Sequence, residues 1–172
     1  EMMCWGTPAD SRAIAELLGR HLDDEVAIDP RTRALWQSNG LRIVAVPVEA
    51  LDALRQLLPQ SGGVQRQWLG QVSEWTDVVQ GTPWHDLQPV DMDNGRLTLG
   101  PGRIRMLIRC WTMPVPAPEA SGEIRSAMRA ELLLQHQEPP RPDTSALYSR
   151  PTDVTNPLEQ GLAFQRLAAT LT

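Results

Sequence analysis

Lysine is absent from this chain. All sixteen basic residues are arginine, set against twenty-one Asp and Glu, for a formal net charge of −5. A chain with that balance is not expected to carry a nucleic-acid surface, which needs clustered cations to neutralise phosphates. Long apolar runs are also missing: nothing approaches the roughly 18 residues of a membrane-crossing helix, so no transmembrane segment is expected within the sequence. There are only two cysteines, Cys4 and Cys110. That excludes a framework of several disulfides; a single Cys4–Cys110 bridge is chemically allowed, and two buried free thiols are the simpler expectation. Phe and Tyr occur once each. Catalytic signatures are missing too. The sequence holds no Gly-x-Ser-x-Gly elbow, no phosphate-cradling loop and no dinucleotide fingerprint, and neither cysteine sits beside a histidine. An enzyme is therefore not expected, and neither a cofactor nor a metal is implied.

What is present suits a folded protein. The 172 residues are 41% apolar and 22% charged, enough for one ordinary domain or two small ones, and too apolar for a wholly disordered chain. A GC-rich coding sequence accounts for arginine replacing lysine throughout, although the weakly hydrated guanidinium fork also suits interfaces. Six tryptophans offer large buried areas or interface anchors. The sequence opens on Glu1 and closes on an apolar stretch without a turn signal, which reads as a segment of a longer protein. Glu1-Met2-Met3 lacks the small residues of a lipid-attachment site ahead of Cys4.

The apolar period changes along the chain. Thr7-Pro8-Ala9-Asp10 predicts a helix start, and Ile14, Leu17, Leu18 and Leu22 carry an amphipathic helix over 8–22. Asp29-Pro30 opens a second helix that Asn39-Gly40 ends. Leu41–Val46 alternates as a strand, and Val48–Leu58 returns to helical period until Pro59. Gln60-Ser61-Gly62-Gly63 reads as a turn or linker. Beyond it, strands are predicted over 64–69 and 75–79, and the Asp93-Asn94-Gly95 signal joins a hairpin between Val90 and Leu99. Gly100-Pro101-Gly102 turns into the strand Arg103–Val115. There Ile104, Met106, Ile108 and Cys110 share one face, and Arg103, Arg105 and Arg109 share the other. Glu123–His136 fits both periods; the strand is preferred because it matches Arg103–Val115 across a turn. Residues 138–157 carry five prolines and are expected to lack regular structure. Leu162–Leu171 is expected to pair back on 123–136. The expected class is α+β: an N-terminal helix–helix–strand–helix unit over 1–60, then a mainly antiparallel β region over 61–172, forming one continuous domain or two.

Candidate chemistry is sparse. Asp23-Asp24-Glu25 supplies carboxylates but not the spacing of a calcium loop, and reads as a solvated turn. In Trp84-His85-Asp86 an imidazole lies beside a carboxylate, an arrangement that orients a base, yet no other histidine is spaced to complete a metal site. Arg103, Arg105 and Arg109 offer either a ligand face for anionic glycans or phosphates, or the solvated or interface side of a half-buried sheet. Trp5, Trp36, Trp68, Trp75, Trp84 and Trp111 offer a stacking platform, or core and interface anchors. Trp84, His85, Trp111 and Arg105 are thus the candidate ligand-binding residues. Arg141, Leu147, Tyr148 and Arg150 are the candidate interface residues, because an ordered proline-rich excursion needs something to hold it, and a neighbouring subunit serves.

Trp5 with Asp24-Glu25, then Arg33 and Leu35 ahead of Asn39-Gly40-Leu41-Arg42, resembles the opening of uncharacterised cell-envelope proteins of planctomycete-type bacteria. The segments Arg129–Pro139 and Phe164–Leu171 resemble the closing part of the same family, and are similar to the strand pairs of secretin-like outer-membrane assembly proteins. The resemblance implies export to the envelope, periplasmic or outer-membrane associated, and a place in a multi-subunit assembly. It brings no catalytic residue. The expected function is a non-enzymatic structural subunit that partners other protein subunits, as a homo-oligomer. The alternatives are a glycan- or cell-wall-binding module using Trp and Arg, and a hydrolase using His85 and Asp86.

Overall fold

A computed structural model describes residues 2–20, 28–44, 46–116, 124–139 and 156–171. It is an α+β protein with three α-helices and mostly antiparallel sheets. The chain divides into two compact units, 1–70 and 71–172.

The first unit opens on a strand that the apolar period does not announce, β1 (Met2–Gly6). Helix α1 spans Ser11–Gly19, shorter than the 8–22 expected. Its cap is Asp10, whose carboxylate accepts from the Ala13 amide at 2.7 Å. Thr7 instead closes a small turn of its own, accepting from the Ala9 amide at 3.2 Å, so the first residues of the expected helix stay outside it. Helix α2 (Pro30–Ser38) follows its signals closely. Asp29 accepts from the Thr32 amide at 2.9 Å, and Pro30 takes the first turn. The end is a Schellman arrangement, with Leu41 N donating to Trp36 O and Gly40 N to Gln37 O.

The expected strand Leu41–Val46 does not form among its described residues, 41–44 and 46, which have no ladder partner. Residues 41–44 carry no regular secondary structure. They line a small cavity of about 50 Å³ with α1 and α2 beside the buried Trp36. Packing against two helices satisfies that apolar run, and no second strand is needed to bury it. A 3-10 turn (Val48–Ala50) leads into α3 (Leu51–Leu57), which stops ahead of Pro59 with Leu58 extended. The expected linker at 60–63 is the start of β2 (Ser61–Gln67), which pairs antiparallel with β1 from Met2↔Gln67 to Gly6↔Ser61.

The second unit is built on a long hairpin. Strands β6 (Arg103–Pro116) and β7 (Ile124–Gln137) pair residue for residue, from Arg103↔Gln137 to Pro116↔Ile124. The strand reading of the ambiguous 123–136 stretch is the correct one. Strand β3 (Val72–Gln80) lies along the inner half of β6, from Gln80↔Arg105 to Val72↔Cys110. Between β3 and β6 the chain forms the hairpin β4 (Gln88–Met92) and β5 (Gly95–Leu99), as its turn signal predicts. The positive φ falls on Gly95, at 137°, and not on Asn94.

Leu162–Leu171 does return to β7, but not as one strand. It forms β8 (Leu162–Ala163) and β9 (Ala169–Leu171), separated by a 3-10 turn at Gln165–Leu167. The interruption tucks Phe164 and Leu167 into the core, at 4% and 1% exposure, which a continuous edge strand would not allow. Leu99, Leu107, Cys110, Ala130, Leu133 and Leu134 are the other buried apolar residues of this unit. No helix among the described residues is long and apolar enough to cross a membrane.

Leu107 has no exposed surface, whereas Val48 is 77% exposed. Leu107→Ala should therefore cost about 2–5 kcal/mol in urea unfolding, and Val48→Ala should stay within about 0.5 kcal/mol.

Candidate functional site

The alternation of β6 places Arg103, Arg105, Leu107, Arg109 and Trp111 on one face. Register sets Gln137, Gln135, Leu133, Glu131 and Arg129 opposite them. This is the expected arginine face, but it is not a solvated or ligand-facing one at its inner end. Arg105 is only 4% exposed and Gln135 is fully buried.

The Arg105 guanidinium makes four hydrogen bonds within the unit. Its Nε donates to Gln135 Oε1 at 2.7 Å. Nη1 donates to Asp77 Oδ2 at 3.1 Å and to Gln160 Oε1 at 3.2 Å, and Nη2 donates to the Pro157 carbonyl at 2.8 Å. The Gln135 amide nitrogen donates in turn to the carbonyls of Pro157, Leu158 and Gly161, at 3.2, 3.0 and 3.1 Å. The pair pins the 3-10 turn Pro157–Gln160 over the sheet. Gly161 lies so close that a Cβ there would fall on the His136 carbonyl oxygen. With four of its five N–H groups engaged within the unit and the side chain buried, Arg105 is a structural clasp. Arg103 is also engaged, with Gln137 Oε1 at 3.0 Å and Gln80 Oε1 at 2.8 Å.

Further out, the same face becomes half-exposed and aromatic. Arg109 pairs with Glu131, Nε to Oε2 at 2.6 Å, and its guanidinium lies 4.8 Å from the Trp75 ring centroid and 5.5 Å from that of Trp111. Arg129 completes the cluster, 3.2 Å from Glu131 Oε1 and 5.7 Å from the Trp111 ring. Two cations share one carboxylate between two indoles.

The tryptophans divide between the two units. Trp5, Trp36 and Trp68 belong to the first unit, and Trp75, Trp84 and Trp111 to the second. Trp84 packs away from the Arg109 cluster: it stacks on His136 at 5.5 Å and donates from Nε1 to the Gly100 carbonyl at 2.9 Å. His85 and Asp86 are exposed, and Trp84 is the partly buried member of that triplet. The better-placed histidine is His136, 4% exposed and with no hydrogen-bond partner at Nε2. It lines an open cavity of about 440 Å³ with Thr98, Glu138, Glu159 and Gln160. Sequence reading missed Gln135 and His136. Their only signal is register, since both follow the Leu132–Leu134 run and lie opposite Arg105 and Ile104.

Beyond Cys110 and Ala130 the hairpin continues as two strands, touched at Thr112 Oγ1 by a hydrogen bond from Gln71 Nε2 at 2.7 Å. Among the described residues no strand pairs with either outer edge over 111–116 and 124–129. This two-stranded ribbon carries Ile124 at 76% and Met128 at 63% exposure on one face. Trp111, Met113, Val115 and Ala127, partly buried, lie on the other. Isolated two-stranded ribbons are marginal in water, so apolar side chains on one invite a partner.

The expected interface residues Arg141, Leu147, Tyr148 and Arg150 lie outside the described residues, as do Asp23, Asp24 and Glu25. Cys4 is half-buried in β1 and Cys110 is buried in β6, and no disulfide joins them. No group of three His, Cys, Asp or Glu among the described residues could hold a metal. Compared with protein-family models, with curated proteins and with solved structures, the chain matches none.

The clasp makes a thermodynamic prediction. Arg105→Met strips Asp77 of its cation and should cost about 3–5 kcal/mol in denaturant unfolding. With Gln135→Leu added, the double variant should lose less than the sum of the singles, by about 0.5–3 kcal/mol, because the two act as one unit.

Cys4 makes a second prediction. Burial raises its thiol above the usual 9.0. The neutral form is favoured through neutral pH, so the folded protein should alkylate at Cys4 more slowly than a cysteine peptide. The pH–rate profile should be displaced to higher pH. The sign for stability follows: a group with a raised folded pKa supports the fold below its unfolded pKa, and that support is lost as pH rises above about 9. Mass-spectrometric alkylation rates across that range check both the direction and the site.

Proposed function

We propose that this chain is a non-enzymatic structural subunit of a bacterial extracytoplasmic assembly, joined to its neighbours through the second unit. The observation that carries the reading is the β6–β7 ribbon beyond Cys110 and Ala130, two strands with unpaired outer edges among the described residues and apolar side chains on both faces. A monomer gains nothing from projecting Ile124 and Met128 into water; a subunit gains a contact. The envelope placement rests on the likeness of the opening and closing segments to planctomycete-type envelope proteins. Arg141, Leu147, Tyr148 and Arg150 would add contacts if the proline-rich excursion docks on a neighbour.

A second reading is favoured by one specific observation. Trp75, Arg109, Trp111 and Arg129 form a half-exposed aromatic and cationic patch, and such patches stack on sugars and pair with acidic glycans. Binding to isolated cell wall that disappears with Trp111→Ala supports this alternative.

Light scattering on the full chain across a wide concentration range tests the first reading. The expected result is a defined mass above that of the monomer, which falls toward the monomer in the double variant Ile124→Asp/Met128→Asp with circular dichroism unchanged. A strictly monomeric chain that also fails to join any larger species in native envelope extracts counts against the assembly role.

A further inference from the structure

The two edges of the ribbon are not equivalent, and the difference points to a particular partner. On the β6 side, Pro114 and Pro116 have no backbone N–H, so residues 111–116 cannot offer a continuous ladder. On the β7 side, Ile124–Arg129 holds no proline, and every second residue turns its N–H and C=O outward. Among the described residues that edge has no partner, and it is bounded on one side at Ala130, where Leu171 of β9 takes up the pairing. Six residues are thus available for an added strand.

Resting on the subunit reading above, we propose that this edge receives a second copy of itself. The two β7 strands run antiparallel about a two-fold axis at Ser126. Side-chain alternation selects both partner and register. Ile124, Ser126 and Met128 share one face; Arg125, Ala127 and Arg129 share the other. With the axis at Ser126, Ile124 faces the partner's Met128, and Met128 faces the partner's Ile124. The four most exposed apolar groups of the two ribbons then form one patch. On the opposite face, Arg125 meets the partner's Ala127, so no arginine opposes an arginine.

Neighbouring registers lose these features. An axis between Ser126 and Ala127 would oppose residues of opposite faces, and outward backbone groups to inward ones, so it forms no ladder. An axis at Ala127 sets Arg125 against the partner's Arg129, and like charges directly opposed are destabilising. Parallel, in-register pairing stacks every arginine on its own copy. Only one arrangement buries the apolar residues and separates the cations. Five facing positions make a small interface, at the low end of specific contacts, so the dimer should be weak and concentration-dependent.

Cysteine cross-linking reads the register directly. Residues opposed across an antiparallel pair have Cα atoms about 4.5–5.5 Å apart, within disulfide range. In the full chain carrying Cys4→Ser, the additional substitution Ser126→Cys should give a disulfide-linked dimer under mild oxidation. Arg125→Cys and Ala127→Cys are each displaced from their own copies by two residues along the strand, and should link many-fold less. Ile124→Arg with Met128→Arg, both exposed positions, should abolish linking through Ser126→Cys while leaving the circular dichroism spectrum unchanged.

Equal linking at 125, 126 and 127 overturns the proposal, as does linking that survives the two arginines. If the wild-type chain assembles but Ser126→Cys does not link, the edge pairing fails and the subunit reading stands. If the wild type is monomeric, both fail. Slow hydrogen exchange of residues 124–129 in a monomer would assign the edge to another segment of the same chain, and this too overturns the proposal.

Discussion

A guanidinium buried at 4% exposure is a heavy desolvation cost unless every donor is met. The second unit is organised around meeting it. Gln135 from β7, Asp77 from β3, and Gln160 and the Pro157 carbonyl from the segment after the proline-rich stretch all converge on Arg105. Four separate stretches of sequence are brought to one point. The edge strands β8 and β9 follow directly from the turn that is held there, and Phe164 and Leu167 reach the core because the turn fixes where the chain re-enters. The clasp sets the geometry, and the leucines around it supply most of the burial.

The same face of the sheet changes character along its length. Beside the clasp, Leu107 and Leu133 are buried; two residues further, Arg109 is part-exposed between Trp75 and Trp111 and pairs with the largely buried Glu131. Beyond these the sheet narrows to two strands. Polar satisfaction, aromatic stacking and open apolar surface succeed one another along a single hairpin. The inner part holds the fold together, and the outer part carries the unit's exposed Ile124 and Met128.

The elements with local codes were legible in the sequence. Helix α2 announces itself through Asp29-Pro30 and Asn39-Gly40, and β6 through strict alternation. Elements defined by distant partners were not. Strand β1 has no period that announces it, and it forms against β2, where the alternation over 64–69 signals the strand but not its partner. Leu41–Val46 has the alternation of a strand, but helices cover it and no ladder forms. The arginine stripe was visible as a stripe, yet its burial depends on Gln135 and Gln160, whose proximity only the register of β7 and the path of the later chain create. Trp84-His85-Asp86 drew attention as a local triplet. The ordered imidazole contact is between Trp84 and His136, fifty-two positions apart in the chain. Candidate sites were therefore read where residues are sequence neighbours, whereas the contacts are made across strands.

The prolines at 114 and 116 have one more consequence. A ribbon with two open edges is a polymerisation hazard, since each added strand presents a fresh edge to the next and growth runs on as a fibril. Sealing one edge makes the ribbon single-ended. Any strand that docks on β7 uses the last continuous ladder available, and a second copy docking there brings its own sealed side outward. Association through such an edge closes after one step, so the exposed apolar surface is compatible with a finite particle and not with an endless filament.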